Sequence, residues 1–155
     1  MWEGTVELIA SVDCEPLINW VLAIPFEEWP QQSQIDHQLK PAMTNESWHG
    51  LKGRSDDLVD KLRTPLGNPR VKDRMLSIVM PGHDIYPHRD VYAADWICRV
   101  HVPLATNDRA VFVVDDIIYK MKVGFAYRVN ISKKHMVVNN GTTPRIHFMF
   151  DCFEH

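Results

Sequence analysis

Pro87-His88-Arg89-Asp90 follows the turn-forming Pro81-Gly82-His83-Asp84 and is expected where a strand runs into a loop. Residues i and i+2 of an extended segment point to the same side, so His88 and Asp90 present an imidazole and a carboxylate to one point. The best candidate for a third ligand is His135, in Lys133-Lys134-His135-Met136-Val137-Val138-Asn139. Two histidines and one carboxylate on a single face, with the other positions open, suit a non-haem Fe(II) that must bind a co-substrate and O2 together. Ten residues after His135, Arg145 opens the last apolar segment, Arg145-Ile146-His147-Phe148-Met149-Phe150. A guanidinium there can grip a carboxylate through a bidentate pair. His88, Asp90 and His135 are therefore expected to be iron ligands and Arg145 the clamp for an acidic co-substrate.

H-x-D alone is a weak signal, because short motifs recur by chance. The ordered set H-x-D, R-x-H, G, H, R-x-H on successive expected strands is far more specific. Alternation puts Arg99 and His101 on one face of their strand, opposite Cys98, Val100 and Val102, and it puts Arg145 and His147 on one face of theirs. On a single strand such a pair faces water more often than not; two R-x-H strands around one ligand set are expected to line the same pocket. Ser77 lies in the strand before the H-x-D loop, where its hydroxyl can donate to a carboxylate. Gly124 is either a turn residue or a gap that lets the next strand turn inward, and Asn139-Asn140-Gly141 is a turn signal.

These residues need short strands to position them, and beyond Pro69 the pattern supplies eight: 74–80, 85–88, 96–102, 110–114, 117–121, 124–129, 135–138 and 145–150. Asp115-Asp116 between two of them is a hairpin signal. Strands of this length and spacing imply a jelly roll or barrel. Upstream, Thr5–Ala10 is expected as a strand. A short helix follows through Pro16–Leu22, capped by Asp13 with Pro16 in its first turn. Residues 31–47 are polar without a clean period and predict loop. Trp48–Leu51 is expected as a further strand, and Ser55–Leu62 as a helix with Ser55 at its N-cap. The N-terminal helices are expected on the outside of one sheet.

A chain of 155 residues, 45% hydrophobic and 24% charged, fits one globular domain, with 1–70 as a supporting region and 71–155 as the β core. The net charge of −3, with no basic run beyond Lys133-Lys134, argues against a nucleic-acid backbone as partner. Cys14, Cys98 and Cys152 match no zinc or disulfide framework. With neither a leader nor a long apolar run, the expectation is a reduced, cytoplasmic chain with no membrane partner.

The set Ser77-x-x-Met80-Pro81-Gly82, Pro87-His88-x-Asp90, Arg99-x-His101-x-Pro103-Leu104, Gly124, His135-x-Val137-x-Asn139 and Arg145-x-His147 leading to Asp151 resembles the aspartyl/asparaginyl β-hydroxylase-like 2-oxoglutarate- and Fe(II)-dependent oxygenases, a group that includes bacterial free-proline hydroxylases. The resemblance spans about half the chain, Ser77 to Asp151, and is weaker around Trp48–Arg54. It implies a double-stranded β-helix core (a cupin-like jelly roll), iron on His88, Asp90 and His135, and 2-oxoglutarate held by Arg145, Ser77 and His101. It places Arg99 near either the oxo-acid end of 2-oxoglutarate or a substrate carboxylate. The animal protein hydroxylases of the group lack the carboxylate ligand, so Asp90 sets this chain nearer the members with a full triad. The implied activity is hydroxylation, with O2, of an amino-acid-type substrate: a free amino acid, or an Asp/Asn-like side chain in a peptide or protein. Trp48, His49 and Arg54 are candidate substrate contacts. The competing expectations are a non-redox metal enzyme of cupin type and a ligand-binding barrel.

Overall fold

Beyond Pro69 the period-two alternation does build antiparallel strands, and the upstream segments brace them. The computed structural model of the protein describes residues 2–30, 34–35, 38–39, 42–90 and 92–155. Along the chain come β1 (Val6–Ser11), α1 (Glu15–Ala23), the short strands β2 (Gln34–Ile35), β3 (Gln38–Leu39) and β4 (Ala42–Met43), and α2 (Leu51–Arg63). Then follow β5 (Arg70–Val79), β6 (Asp84–His88), β7 (Trp96–Ala105), β8 (Ala110–Val114), β9 (Ile117–Tyr119), β10 (Phe125–Val129), β11 (His135–Asn139) and β12 (Arg145–Phe153). One sheet has the order β1-β10-β7-β12-β5-β4, a second has β6-β11-β8-β9, and β2 pairs with β3. The two larger sheets form the expected jelly roll. No helix of the described residues is long and apolar enough to cross a membrane.

The central strands β7 and β12 of the six-stranded sheet are buried on both faces. Val100, Val102, Phe148, Phe150, Leu76 and Ile78 pack on one side with Leu17 and Val21 of α1 and Leu58, Val59 and Leu62 of α2. The alternate residues of the same strands turn to the second sheet, where Phe112, Val114 and Val137 help close a second apolar cluster. The helices therefore cover the outside of one sheet, as expected. The site residues of β5, β7 and β12 fall on the inner face because their neighbours are committed to the helices.

Several boundaries differ from expectation. Trp48–Leu51 is no strand: Trp48–Gly50 forms a 3-10 turn in which His49 and Gly50 both take positive φ, 49° and 73°, and α2 starts at once. Ser55 is consequently inside α2 rather than at its N-cap, buried with its hydroxyl donating to the Lys52 carbonyl. Leu51, Ser55, Leu58, Val59 and Leu62 share one buried helical face. Burying each large apolar side chain there is worth about 1.5–3 kcal/mol, more than the ~1 kcal/mol that Gly53 costs a helix. The N-cap of α1 is Cys14, with no side-chain cap; the Asp13 carboxylate instead accepts from the Glu15 amide at 3.1 Å. β5, β7 and β12 outrun their expected limits, and the strand expected over 117–121 stops at Tyr119. Of the stretch expected as loop, residues 31–33, 36–37 and 40–41 lie outside the described residues. Asp115 and Asp116 take φ of 52° and 64°, the left-handed pair of a type I′ hairpin. Gly124 sits at φ 93° with open space where a Cβ would stand, so it supplies a turn and not a gap.

Candidate metal and co-substrate site

His88 ends β6, Asp90 lies two residues beyond, and His135 opens β11 directly opposite His88 in the ladder. The Asp90 amide donates to the Ile131 carbonyl at 3.0 Å, which holds the loop against the approach to β11. One ligand atom from each of the three residues falls within 4.8 Å of the others. Asp90 Oδ2 is 3.2 Å from His135 Nε2 and 3.7 Å from His88 Nε2. Each imidazole is fixed from behind by the carbonyl two residues earlier: His88 Nδ1 on Tyr86 and His135 Nδ1 on Lys133, both at 2.8 Å. A carbonyl only accepts, so both Nδ1 atoms carry protons and each ring turns its Nε2 toward Asp90. These three atoms can all ligate one cation. Burial acts upward on Asp90 but is outweighed by His135, His88 and Arg99, so its carboxyl titrates below the usual range.

A cavity of about 250 Å³ opens beside this cluster, lined by all three residues together with Ser77, Arg99, His101 and Arg145. It thus brings together every residue named from the sequence as a ligand or co-substrate contact. Arg145 is 3% exposed, its Nη2 has no hydrogen-bond partner, and it makes no ion pair among the described residues. Burial pushes its guanidinium down to about 9, so at neutral pH it remains a cation without a counter-ion. The Nε2 of His101 is likewise buried and unpartnered. Burial, followed by the charges of Arg145 and Arg99, holds His101 well below the usual imidazole range.

Arg99 differs from a free clamp. Its Nε and Nη2 donate to the two oxygens of Asp151, 3.0 Å each, and it also donates to the Tyr92 hydroxyl. Trp96 Nε1 gives Asp151 a further bond at 3.2 Å. Burial acts downward on Arg99, but Asp151 outweighs it and raises the guanidinium above its ordinary value. Burial, with Asp151 and Asp90, pushes the Tyr92 phenol up to about 12 against the opposing charge of Arg99. Only Nη1 of Arg99 remains toward the cluster, 4.0 Å from Asp90. The contribution of Asp151 was within reach of the sequence, since alternation from Arg145 through His147 and Met149 turns it inward; that of Tyr92, in a loop, carries no periodic signal. His147 does not line the main cavity but stands behind His101. Trp48, His49 and Arg54 are also absent from its lining. Trp48 packs on Trp29 at 4.9 Å, while Arg54 lies over Trp20 and donates to the His49 carbonyl.

A jelly roll with a two-histidine, one-carboxylate cluster at the mouth of its cavity is the architecture of metal-dependent oxygenases. Residues 54–155 match the aspartyl/asparaginyl β-hydroxylase family, and the chain belongs to it: it is an enzyme, a hydroxylase of the oxygenase type. No curated protein sequence matches the chain. Similar solved folds include the non-haem α-ketoglutarate-dependent carbocyclase SnoK of nogalamycin biosynthesis (TM-score 0.71, 12% identity, 98% of this chain and 80% of that one). A 2OG-Fe(II) oxygenase-family protein of Burkholderia pseudomallei gives 0.69 at 11% identity, over 99% and 86%. A prolyl-4-hydroxylase of Pseudomonas putida gives 0.68 at 8%, over 99% and 94%. At such identities these likenesses speak for the fold. The expected cofactors, Fe(II) and 2-oxoglutarate, agree with the family and with the His88, Asp90, His135 cluster.

Proposed function

We propose that this chain is a 2-oxoglutarate- and Fe(II)-dependent dioxygenase that hydroxylates a substrate of amino-acid character, free or within a peptide. His88, Asp90 and His135 hold the iron; Arg145, Ser77 and His101 hold 2-oxoglutarate; Arg99 faces the substrate or the oxo-acid end with Nη1. The observation that carries this reading is Arg145: a buried, uncompensated cation in the same cavity as the three converging ligands. A buried charge without a partner is destabilising, and an acidic ligand is what relieves it. The dicarboxylate also supplies acceptors for His101 Nε2.

Fe(II) with 2-oxoglutarate and O2 supplies the conversion of a C–H bond to C–OH, with succinate and CO2 released. The chain's own part is positional. The Tyr86 and Lys133 carbonyls hold both imidazoles by Nδ1 with Nε2 turned to the cluster, Asp90 adds the anionic ligand, and the sheets exclude water from the cavity floor. Asp151 and Tyr92 pin Arg99, so its remaining donor has one direction in which to meet a carboxylate. A substrate with an α- or side-chain carboxylate suits that donor. The first 70 residues act as support for one domain, since β1 and β4 join the sheet that carries Arg145. Three buried, free cysteines suit the cytoplasm.

Metal-free protein mixed anaerobically with Fe(II) and 2-oxoglutarate is expected to develop the visible charge-transfer band of the chelate, weakened in Arg145→Ala. Succinate release then ranks amino acids and peptides as substrates. No band, with tight binding of Zn(II) alone, would refute the assignment.

A further inference from the structure

The cavity holds a second orphan whose cause lies one residue deeper. His101 has no partner for Nε2, while its Nδ1 is 3.0 Å from Nδ1 of His147. The rings are T-shaped, 5.3 Å apart, at 3% and 2% exposure. In the β7–β12 ladder His101 stands opposite Met149 and His147 opposite Pro103, so the two rings meet on the diagonal. Burial and the Arg145 charge keep both rings neutral, and each therefore carries one N–H.

A neutral pair at this distance shares one proton, and its owner decides what His101 offers the cavity. If His147 donates, Nδ1 of His101 accepts and its only N–H is at Nε2. If His101 donates, Nε2 presents a lone pair. The oxygens of a keto dicarboxylate only accept, and lone pairs facing one another in a dry site are costly. We propose that His147 is a positioning residue: by donating from Nδ1 it fixes His101 in the Nε2–H tautomer and makes it a hydrogen-bond donor to the acidic co-substrate. The inference rests on the proposed function, because the acceptor oxygens of 2-oxoglutarate select the tautomer.

Protein labelled with 15N-histidine, loaded with Zn(II) as a diamagnetic stand-in and saturated with 2-oxoglutarate, reports the tautomers through two-bond proton–nitrogen correlations. The expected result is Nε2–H with bare Nδ1 on His101 and Nδ1–H on His147. A bare Nε2 on His101 overturns the proposal without any variant. Affinity for 2-oxoglutarate in the Zn(II) protein, read by calorimetry, is expected to fall roughly tenfold in His147→Leu. His147→Asn, whose amide N–H replaces Nδ1–H, is expected to recover most of it. Unchanged affinity in folded His147→Leu, or equal loss in both variants, also overturns the proposal. A parent that binds Zn(II) but no 2-oxoglutarate sinks the proposed function and the role of His147 with it. Binding with His101 in the opposite tautomer removes only that role.

Discussion

Arg145 is the plainest case of a charge held at a cost to stability. Its charge is buried beside Phe112, 5.7 Å from the ring centre, with Nη2 unpartnered. The face of an aromatic ring is a weak substitute for an anion. A side chain of similar length without the charge should fit the same space at lower cost. Arg145→Met is therefore expected to raise the stability of the ligand-free protein by about 1 kcal/mol or more, a rise in Tm of about 2–4 °C per kcal/mol for this chain length. The same variant should lose 2-oxoglutarate binding. Thermal denaturation with and without the ligand checks both halves, and a destabilised variant would mean that Arg145 has a structural partner. Arg99 marks the contrast: equally basic in sequence, it is neutralised by Asp151, fifty-two residues away, and no local pattern distinguishes the two arginines.

At the level of elements, strands were legible because apolar alternation is a local property, and all eight segments expected beyond Pro69 formed. Alternation also told which side of β7 and β12 carries Arg99, His101, Arg145 and His147. Less legible were features decided by backbone strain or distant partners. The left-handed pair His49-Gly50 turned an expected strand into the approach to α2, and Ser55 resembled a cap because its burial under Arg74 is invisible locally; Arg74 Nη1 donates to Ser55 Oγ at 3.1 Å. Asn139 is the most consequential case, a turn signal in sequence but a fully buried rivet at the end of β11. Its amide donates to the Val79 and Thr143 carbonyls at 2.9 and 3.1 Å, and its Oδ1 accepts from Gly141 and Asn107 at 3.1 and 3.2 Å. This residue ties the strand of His135 to the end of β5 and to the turn before Arg145. Asn139→Ala strands several buried groups, for a loss of about 2–3 kcal/mol and a fall in Tm of about 4–12 °C. Zn(II) affinity should weaken as well, because His135 shares the strand. Calorimetry and a melting curve on one preparation test both, and an unchanged melting point would contradict the rivet.

Across the whole molecule the site is divided between the sheets. His88 and His135 belong to the four-stranded sheet, with Asp90 just past its edge strand β6; Ser77, Arg99, His101 and Arg145 belong to the six-stranded sheet. Under the proposed assignment a metal alone would touch only the first group, and 2-oxoglutarate alone would have only the second. Together, as a chelate, they would span the gap and fasten one sheet to the other, so their effects on stability should exceed the sum of the separate ones. A ligand at a hundred times its Kd adds about 2.7 kcal/mol, which for this chain moves Tm by about 5–10 °C. Zn(II) plus 2-oxoglutarate is therefore expected to raise Tm by more than the two separate increments combined, and Arg145→Ala to keep the Zn(II) increment while losing the excess. Hydrogen exchange should localise the same effect, slowing in β6 and β11 with both ligands and far less with Zn(II) alone, because these two strands carry His88 and His135. Strictly additive shifts would place metal and co-substrate in independent sites, and the division of residues between the sheets would then have no functional meaning.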